Sequence, residues 1–328
     1  MENGQAMVLP RSMANTFNTF FIGKVKKLHD SITGNVSVDP LIRLQRWLGN
    51  SRDSPVPVFS IQQTTLLKLR KIIAKIKGNH ACGIDMIDGY SIMLAFPLIE
   101  DKQLTENYRP VSNLIFVGMI CEKVIAEQVF YHFDQNKLWH QNYHGFHPNH
   151  STATALINLT DLWLQAADNG KLTAALLLDL SAAFDLVDHQ VLIGKLRLYG
   201  LDETSLKWVT SYLHNRSQYV LVESVLSDPL PTGEVGVPQG SILGPLLYLI
   251  FDNDFPARGT NTLEDGDNYL DEEENAVQGN SIFYADNYTD NISAIDTNTL
   301  KTMIQREADM STRWVHDNKL VCSDRNSS

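Results

Sequence analysis

The sequence predicts an α+β fold, and three observations carry that expectation. Long segments with apolar residues at helical spacing dominate the first half of the chain. Short apolar runs, among them Leu172 to Leu178 and Ser217 to Val222, appear in the second half between further helical stretches. Near the end, the run from Ser281 to Ser293 reads as a strand, a tight acidic turn at Tyr284-Ala285-Asp286-Asn287, and a second strand. Strands of this kind form an antiparallel sheet with helices packed against it.

The elements follow in order. Residues 13–30 have helical periodicity. A polar stretch with Gly34, Pro40, Gly49, Pro55 and Pro57 then reads as linker, with one helix near Leu41–Trp47. Ser60 to Lys77 predicts an amphipathic helix with Ile61, Leu66, Leu69, Ile72, Ile73 and Ile76 inside, ending at Gly78. Ile115–Asp134 and Ser151–Gly170 are further helices, the second capped by Ser151 or Thr152. A strand over Leu172–Leu178 leads into a helix from Ser181 to Tyr199, which Gly200 ends. A helix over Glu203–Leu213 precedes strands at Ser217–Val222 and Leu230–Val235. The turn Gly236-Val237-Pro238-Gln239-Gly240-Ser241 opens a helix over Leu243–Phe251. Residues 256–280 form an acidic insertion expected to be a solvated loop, and the last helix runs from about Thr299 to Asn318.

At 328 residues and 43% hydrophobic, the chain can bury a sizeable core. No apolar run is long enough to span a membrane, since Ile242–Phe251 is short and holds Gly244 and Pro245. The amino terminus lacks a secretory pattern, and Cys82, Cys121 and Cys322 are too scattered for a disulfide framework or cysteine zinc site. These features predict an intracellular protein of nucleus or cytoplasm with no membrane partner. The net charge of −11 hides an asymmetry. Residues 1–80 hold 12 Lys+Arg against 4 Asp+Glu, whereas the remainder holds 15 against 34. A basic end suits contact with phosphate and an acidic remainder suits metal, although solvated helix faces would also explain the lysines.

Two carboxylates at strand ends carry the chemistry. Asp179 closes the apolar strand Leu176-Leu177-Leu178, and Asp286 sits in the late hairpin turn. Phosphoryl transfer needs little covalent help: two divalent ions clamping the attacking and leaving oxygens suffice, held by two or three acidic groups. Taken alone, a strand-end Asp is usually a helix cap. His140, His144, His147 and His150 invite a zinc reading, but no cysteine joins them. Asp185, Asp188 and His189 read as helix-face and packing residues.

Several blocks occur in one order and spacing. They are Asn107-Tyr108-Arg109-Pro110-Val111-Ser112, Gly145-Phe146-His147-Pro148, and Leu178-Asp179-Leu180-Ser181-Ala182-Ala183-Phe184-Asp185. Asn215-Arg216-Ser217-Gln218, Val237-Pro238-Gln239-Gly240-Ser241 and Tyr284-Ala285-Asp286-Asn287 complete the set. Together they resemble the reverse transcriptase domain of non-LTR, LINE-like (jockey-like) retrotransposons over residues 60–326. The resemblance implies a right-hand polymerase palm at 171–328 with a partial, helical, fingers-like region at 60–170. Residues 1–59 would be a basic amino-terminal extension and linker.

By position, it implies that Asp179, Asp286 and the Leu180 carbonyl bind metal, with two Mg²⁺ (or Mn²⁺) ions expected. Phe184 would lie under the sugar and exclude a 2′-OH, Arg109 would contact the triphosphate, and Gln239 and Gly240 would flank the incoming nucleotide. The implied partners are an RNA template, a DNA primer and deoxynucleoside triphosphates. Each residue also has a plain structural role open to it: Phe184 as core, Arg109 in a surface ion pair, Gly240 as a turn.

The chain departs from the family pattern at Asn287, where a second aspartate is expected. Few basic residues lie between Met93 and Tyr108. The late Lys-Thr pair is replaced by Asn326-Ser327, and neither a thumb nor an endonuclease is expected. The sequence therefore predicts RNA-templated DNA synthesis that is impaired. The alternative is a non-catalytic, retrotransposon-derived protein that binds nucleic acid through its Lys24–Lys77 surface.

Overall fold

The computed structural model describes residues 10–75, 90–97, 105, 108–113, 116–140, 142–146, 150–255, 280–284 and 286–323. Two sheets and the helices around them account for the ordered architecture. Eight strands and nine helices lie among the described residues. The first helices are α1 (Pro10–Ser31), α2 (Pro40–Asn50) and α3 (Leu66–Lys75), followed by strands β1 (Tyr90–Pro97) and β2 (Tyr108–Asn113). Then come α4 (Phe116–Gln135), α5 (Thr152–Asp168), β3 (Leu172–Asp179), α6 (His189–Leu198) and α7 (Glu203–Leu213). The remainder is β4 (Ser217–Val222), β5 (Val225–Leu226), β6 (Leu230–Pro231), α8 (Leu243–Asp252), β7 (Asn280–Tyr284), β8 (Asn287–Ala294) and α9 (Thr297–Asp317).

One sheet has the order β3-β8-β7 and is antiparallel throughout. Its β3–β8 ladder runs in register from Leu172 opposite Ala294 to Asp179 opposite Asn287. Helices α5 and α9 pack against this sheet. On α9 the sequence spaces Leu300, Ser311, Trp314 and Val315 on a buried face. The other sheet runs β2-β1-β4-β5, with β6 also paired to β4. Its β1–β4 pair is parallel, and its other pairs are antiparallel.

The main core gathers Phe133, Tyr199, Leu192, Leu196, Tyr248, Phe251, Phe255, Phe283 and Trp314, so α4, α6, α8 and α9 meet beneath the β7–β8 hairpin. Inside it, the Lys195 ammonium donates to the Phe251 carbonyl (2.6 Å), Asp254 Oδ1 (2.7 Å) and Asn318 Oδ1 (2.6 Å). A buried ammonium is tolerated only with such a complete set of acceptors. Trp314 and Asn318 both contact Lys195 from one helix end.

The first two helices are docked. Phe17 and Phe21 of α1 bury against Val220 of β4, and Phe17 meets the Tyr108 ring edge-on at 4.7 Å. The buried Asn18 amide donates to the Gln218 carbonyl, Ser227 Oγ and the Asp228 carbonyl. Arg43 of α2 reaches Asp317 Oδ2 at 2.7 Å in a fully buried pair, and Ser37 also donates to that carboxylate.

Several elements differ from the sequence expectation. The helix expected over Ser181–Tyr199 is a short 3₁₀ turn (Ala183–Asp185) followed by α6. Ala182 takes a left-handed conformation (φ 50°), and Asp188 starts a new helix by accepting from the Val191 amide. The helix expected from Ser60 begins only at Leu66, behind Thr65; Ile72 is buried, but Leu66 and Ile73 are exposed. The strand expected over Leu230–Val235 is two residues long, since Pro231 offers no donor and Gly233 takes a positive φ. Strands β1 and β2 lie within residues 60–170, where the sequence suggested helices. The acidic insertion lies outside the described residues except for Asn280, and so do Asn326 and Ser327.

Candidate active site

The β3–β8 ladder ends at the pair Asp179–Asn287, and Asp286 precedes Asn287 in the connection from β7. One strand end and one hairpin turn thereby bring Asp179 and Asp286 to the same edge. Both line a cleft of about 1250 Å³ whose walls include Leu180, Phe184, Gln239 and Gly240. Six of the sequence-predicted site residues thus share one cavity. Asn287 is exposed beside it, and its Nδ2 donates to Asp286 Oδ1 at 3.2 Å. Arg109 stands in β2 opposite Phe96, next to Tyr108, whose ring lines the cleft.

The backbone around Asp179 is held from the far end of the chain. Ser323 N donates to the Asp179 carbonyl and Ser181 N to the Val321 carbonyl, both at 2.8 Å. These bonds flank an isolated antiparallel bridge between Leu180 and Cys322. In such a pair the middle residue's own carbonyl points away from the bridge, so the Leu180 oxygen is not consumed by it.

The aromatic floor is equally constrained. The Phe184 ring stacks on Tyr248 at 4.4 Å. The Tyr248 and Tyr288 hydroxyls lie 2.9 Å apart, and Tyr288 donates to Asp252 Oδ2 at 2.8 Å. Tyr143 also donates to that oxygen. Burial pushes the Asp252 carboxyl well above the usual range, while the two tyrosine bonds pull it down.

The loop before α8 is zipped to the 3₁₀ turn. Gly236 N donates to the Val187 carbonyl and Val237 N to the Phe184 carbonyl, each at 2.8 Å. Gly236 (φ 91°) allows this approach, because a Cβ there would lie 2.9 Å from the Asp185 carbonyl oxygen. Gly240 also needs its residue type, with φ at 88°. Ile242 supplies no capping side chain to α8; instead Glu122 of α4 accepts from Ile242 N (2.8 Å) and Leu243 N (3.2 Å). Burial raises the Glu122 carboxyl, and those backbone bonds oppose the shift.

The structure places in the cleft basic residues that the sequence reading had not located there. Lys24 and Lys26 of α1, Arg216 and Lys319 line the cleft together with Asp30, Asp188 and Glu234, so its walls carry both signs of charge. Their signal was the basic amino-terminal helix, whose docking site no local pattern reveals. Lys319 also pairs with Asp188 at 2.5 Å. Asp185 faces Gln239 across the zipped loop and accepts from its Nε2 at 3.0 and 3.1 Å. His189 Nε2 pairs with the Gly236 carbonyl (2.8 Å), a packing role as expected. His144 contacts Thr154 Oγ1 at 3.0 Å, and the His140 ring meets Phe283 edge-on at 5.5 Å.

Among the described residues, no group of three or more His, Cys, Asp or Glu side chains is placed to hold a metal. Mg²⁺, however, commonly binds through one or two carboxylates plus substrate phosphates and water. Two carboxylates at the mouth of one large cleft fit an ion that arrives with a phosphate ligand. They do not fit a closed protein cage.

The family model described as "Reverse transcriptase (RNA-dependent DNA polymerase)" matches residues 99–320, and the chain belongs to that family. Within it, this is a non-LTR, LINE-like reverse transcriptase domain. It is 33% identical over 270 residues to the RNA-directed DNA polymerase from mobile element jockey of Drosophila melanogaster, covering 72% of this chain and 29% of that protein. It is 34% identical over 161 residues to the probable RNA-directed DNA polymerase from transposon BS of the same fly, covering 47% and 17%. The corresponding X-element protein is 32% identical over 150 residues, covering 46% and 16%. The chain thus spans less than a third of each of these relatives. The family generally uses divalent metal ions and acts on nucleic-acid templates and nucleotides. No described helix is long and apolar enough to cross a membrane.

Proposed function

We propose that this chain carries out RNA-templated DNA synthesis by two-metal nucleotidyl transfer in the cleft at the β3–β8 edge, at a rate reduced by Asn287. The observation that carries this reading is the convergence of Asp179, Asp286, Phe184, Gln239 and Gly240 on one cavity. Asp179, the Leu180 carbonyl and Asp286 would hold Mg²⁺ or Mn²⁺, which supplies charge neutralisation for the phosphoryl oxygens. The Phe184 ring, stacked on Tyr248, would form the sugar floor and exclude a 2′-OH. Arg109 serves the triphosphate as a bidentate donor. Gly240 lets the backbone approach the incoming nucleotide, and Gln239 offers it an amide. The basic side chains of Lys24, Lys26 and Arg216 on the cleft wall take template or primer phosphates.

Asn287 weakens this site twice over. It lacks the charge of a third carboxylate, and its amide occupies an Asp286 oxygen that would otherwise face a cation. Loss of preorganised charge of this kind costs several kcal/mol of transition-state stabilisation. Extension of a DNA primer on an RNA template with Mg²⁺ or Mn²⁺ tests the proposal, with Asp179→Ala as the control that removes activity.

The second reading is a retrotransposon-derived protein that binds nucleic acid without catalysis, and the Asn287–Asp286 bond favours it. It predicts RNA binding that weakens with salt and survives Asp179→Ala. Affinity that is independent of salt removes it.

A further inference from the structure

Asp185 is not among the residues proposed to hold metal or phosphate, yet it is among the most constrained carboxylates lining the cleft. The 3₁₀ turn presents it between the β3 end and the 236–240 loop, and both carboxylate oxygens lie within hydrogen-bond distance of one atom, Gln239 Nε2. The backbones on either side are locked together by the Gly236–Val187 and Val237–Phe184 bonds, and Gly236 packs against the Asp185 carbonyl. The two side chains therefore meet across a rigid frame.

A carboxylate accepts and does not donate, so it distinguishes the two ends of a glutamine amide. Facing Asp185, the amide must present its NH₂ group, which leaves Gln239 Oε1 directed elsewhere. Without that partner the side chain could turn over with little cost, exchanging an acceptor for a donor. We propose that Asp185 is a positioning residue: it fixes the amide of Gln239 in one orientation, so that Gln239 offers an acceptor to a hydrogen-bond donor on a bound deoxynucleoside triphosphate. This rests on the proposed nucleotide-binding reading of the cleft and names a residue that controls it.

Two further observations agree. Burial raises the Asp185 carboxyl to about 6, while the Gln239 bonds and the charge of Lys24 pull it back, so the pair is a costly arrangement retained inside the cleft. Phe184 is adjacent in sequence, so one turn supplies both the sugar floor and the residue that orients Gln239.

The test uses the full chain with an RNA template and DNA primer, Mg²⁺, and a fluorescent deoxynucleoside triphosphate analogue, read as equilibrium binding. Asp185→Ala and Gln239→Ala each weaken nucleotide binding about tenfold, and the double variant is no weaker than either single one. Asp185→Asn weakens it less, because asparagine can both accept and donate and so permits both amide orientations. Gln239→Glu, which sets two carboxylates against each other, is worse than Gln239→Ala, and adding Asp185→Asn recovers part of the loss.

A second readout needs no nucleotide. In protein with ¹⁵N-labelled glutamine side chains, the Gln239 NH₂ signals are resolved and slow to exchange, and they collapse toward the exposed-glutamine position in Asp185→Ala. Circular dichroism confirms that each variant is folded. If Gln239→Ala weakens binding while Asp185→Ala leaves both binding and the amide signals unchanged, the positioning role is overturned and the nucleotide site stands. A wild-type protein that binds no nucleotide overturns both.

Discussion

Asp179 and Asn287 stand directly opposite each other at the last rung of the β3–β8 ladder, so the residue that departs from the family pattern faces the first metal-binding candidate. The register makes Asn287 a matter of electrostatics. An aspartate there would place two carboxylates side by side with a third, Asp286, next in the chain. Like charges opposite each other in a ladder are destabilising unless a cation lies between them.

Asn287→Asp should therefore melt lower than the wild type in chelator, by about 2 °C for a cost near 1 kcal/mol. Added Mg²⁺ or Mn²⁺ should restore or exceed the original melting temperature, because ligand bound only to the folded state stabilises it. A thermal melt with and without divalent ions checks this. A variant whose stability ignores both ions would mean that the edge is not a cation site.

The pH dependence of stability should report Asp185. Its folded value of about 6 lies above its ordinary value of 3.8, so the fold holds the proton more tightly than the unfolded chain does. The stabilising contribution is then fully present below the unfolded value and is lost as pH rises through the folded one. Gln239 from the loop and Lys24 from α1 face the group and reduce the penalty without removing it. Asp185→Asn should match the wild type in urea unfolding at pH 4 and gain about 1–3 kcal/mol at pH 8, discounted for solvent in the cleft. Equal gains at both values would contradict the desolvation account.

The amino-terminal helices should be required for the stability of the rest. Arg43→Ala leaves the Asp317 carboxylate buried with Ser37 as its hydrogen-bond donor and the His316 ring 3.8 Å away. Loss of one member of a buried pair costs about 3–5 kcal/mol. Chemical denaturation should show that loss in a single transition, with α2 and α9 unfolding together. A change below about 1 kcal/mol would mean that α2 is docked only loosely.

Much of this was legible in the sequence where the signal is local. Helix α7 and strand β4 match their expected bounds, and Ser151 caps α5 in a reciprocal pair with Thr154. The hairpin turn and the strand ending at Asp179 also stood out, because a carboxylate set against apolar neighbours is costly unless it is paired or metal-bound. The second sheet was not legible. Its β1–β4 pairing joins Tyr90 to Ser217 in parallel, and no turn residue marks a contact so distant in sequence. The break at Ala182 was hidden as well, since Ser181 to Tyr199 keeps helical spacing and only the docking of the 236–240 loop forces the turn. Misreading that turn as helix is also why Asp185 appeared to be a helix-face residue. Lys24 and Lys319 were invisible as a pair because they enter the cleft from opposite ends of the chain.

The Asp179–Asp286 edge is proposed as a nucleotidyl-transfer site weakened at Asn287. Primer extension on an RNA template with Mg²⁺ or Mn²⁺, comparing the wild type, Asp179→Ala and Asn287→Asp, tests it most directly. Weak synthesis is expected from the wild type, none from Asp179→Ala, and a gain of at least tenfold from Asn287→Asp, equivalent to about 1.4 kcal/mol of recovered stabilisation. Synthesis that persists in Asp179→Ala, or an Asn287→Asp protein no faster than the wild type, would contradict it.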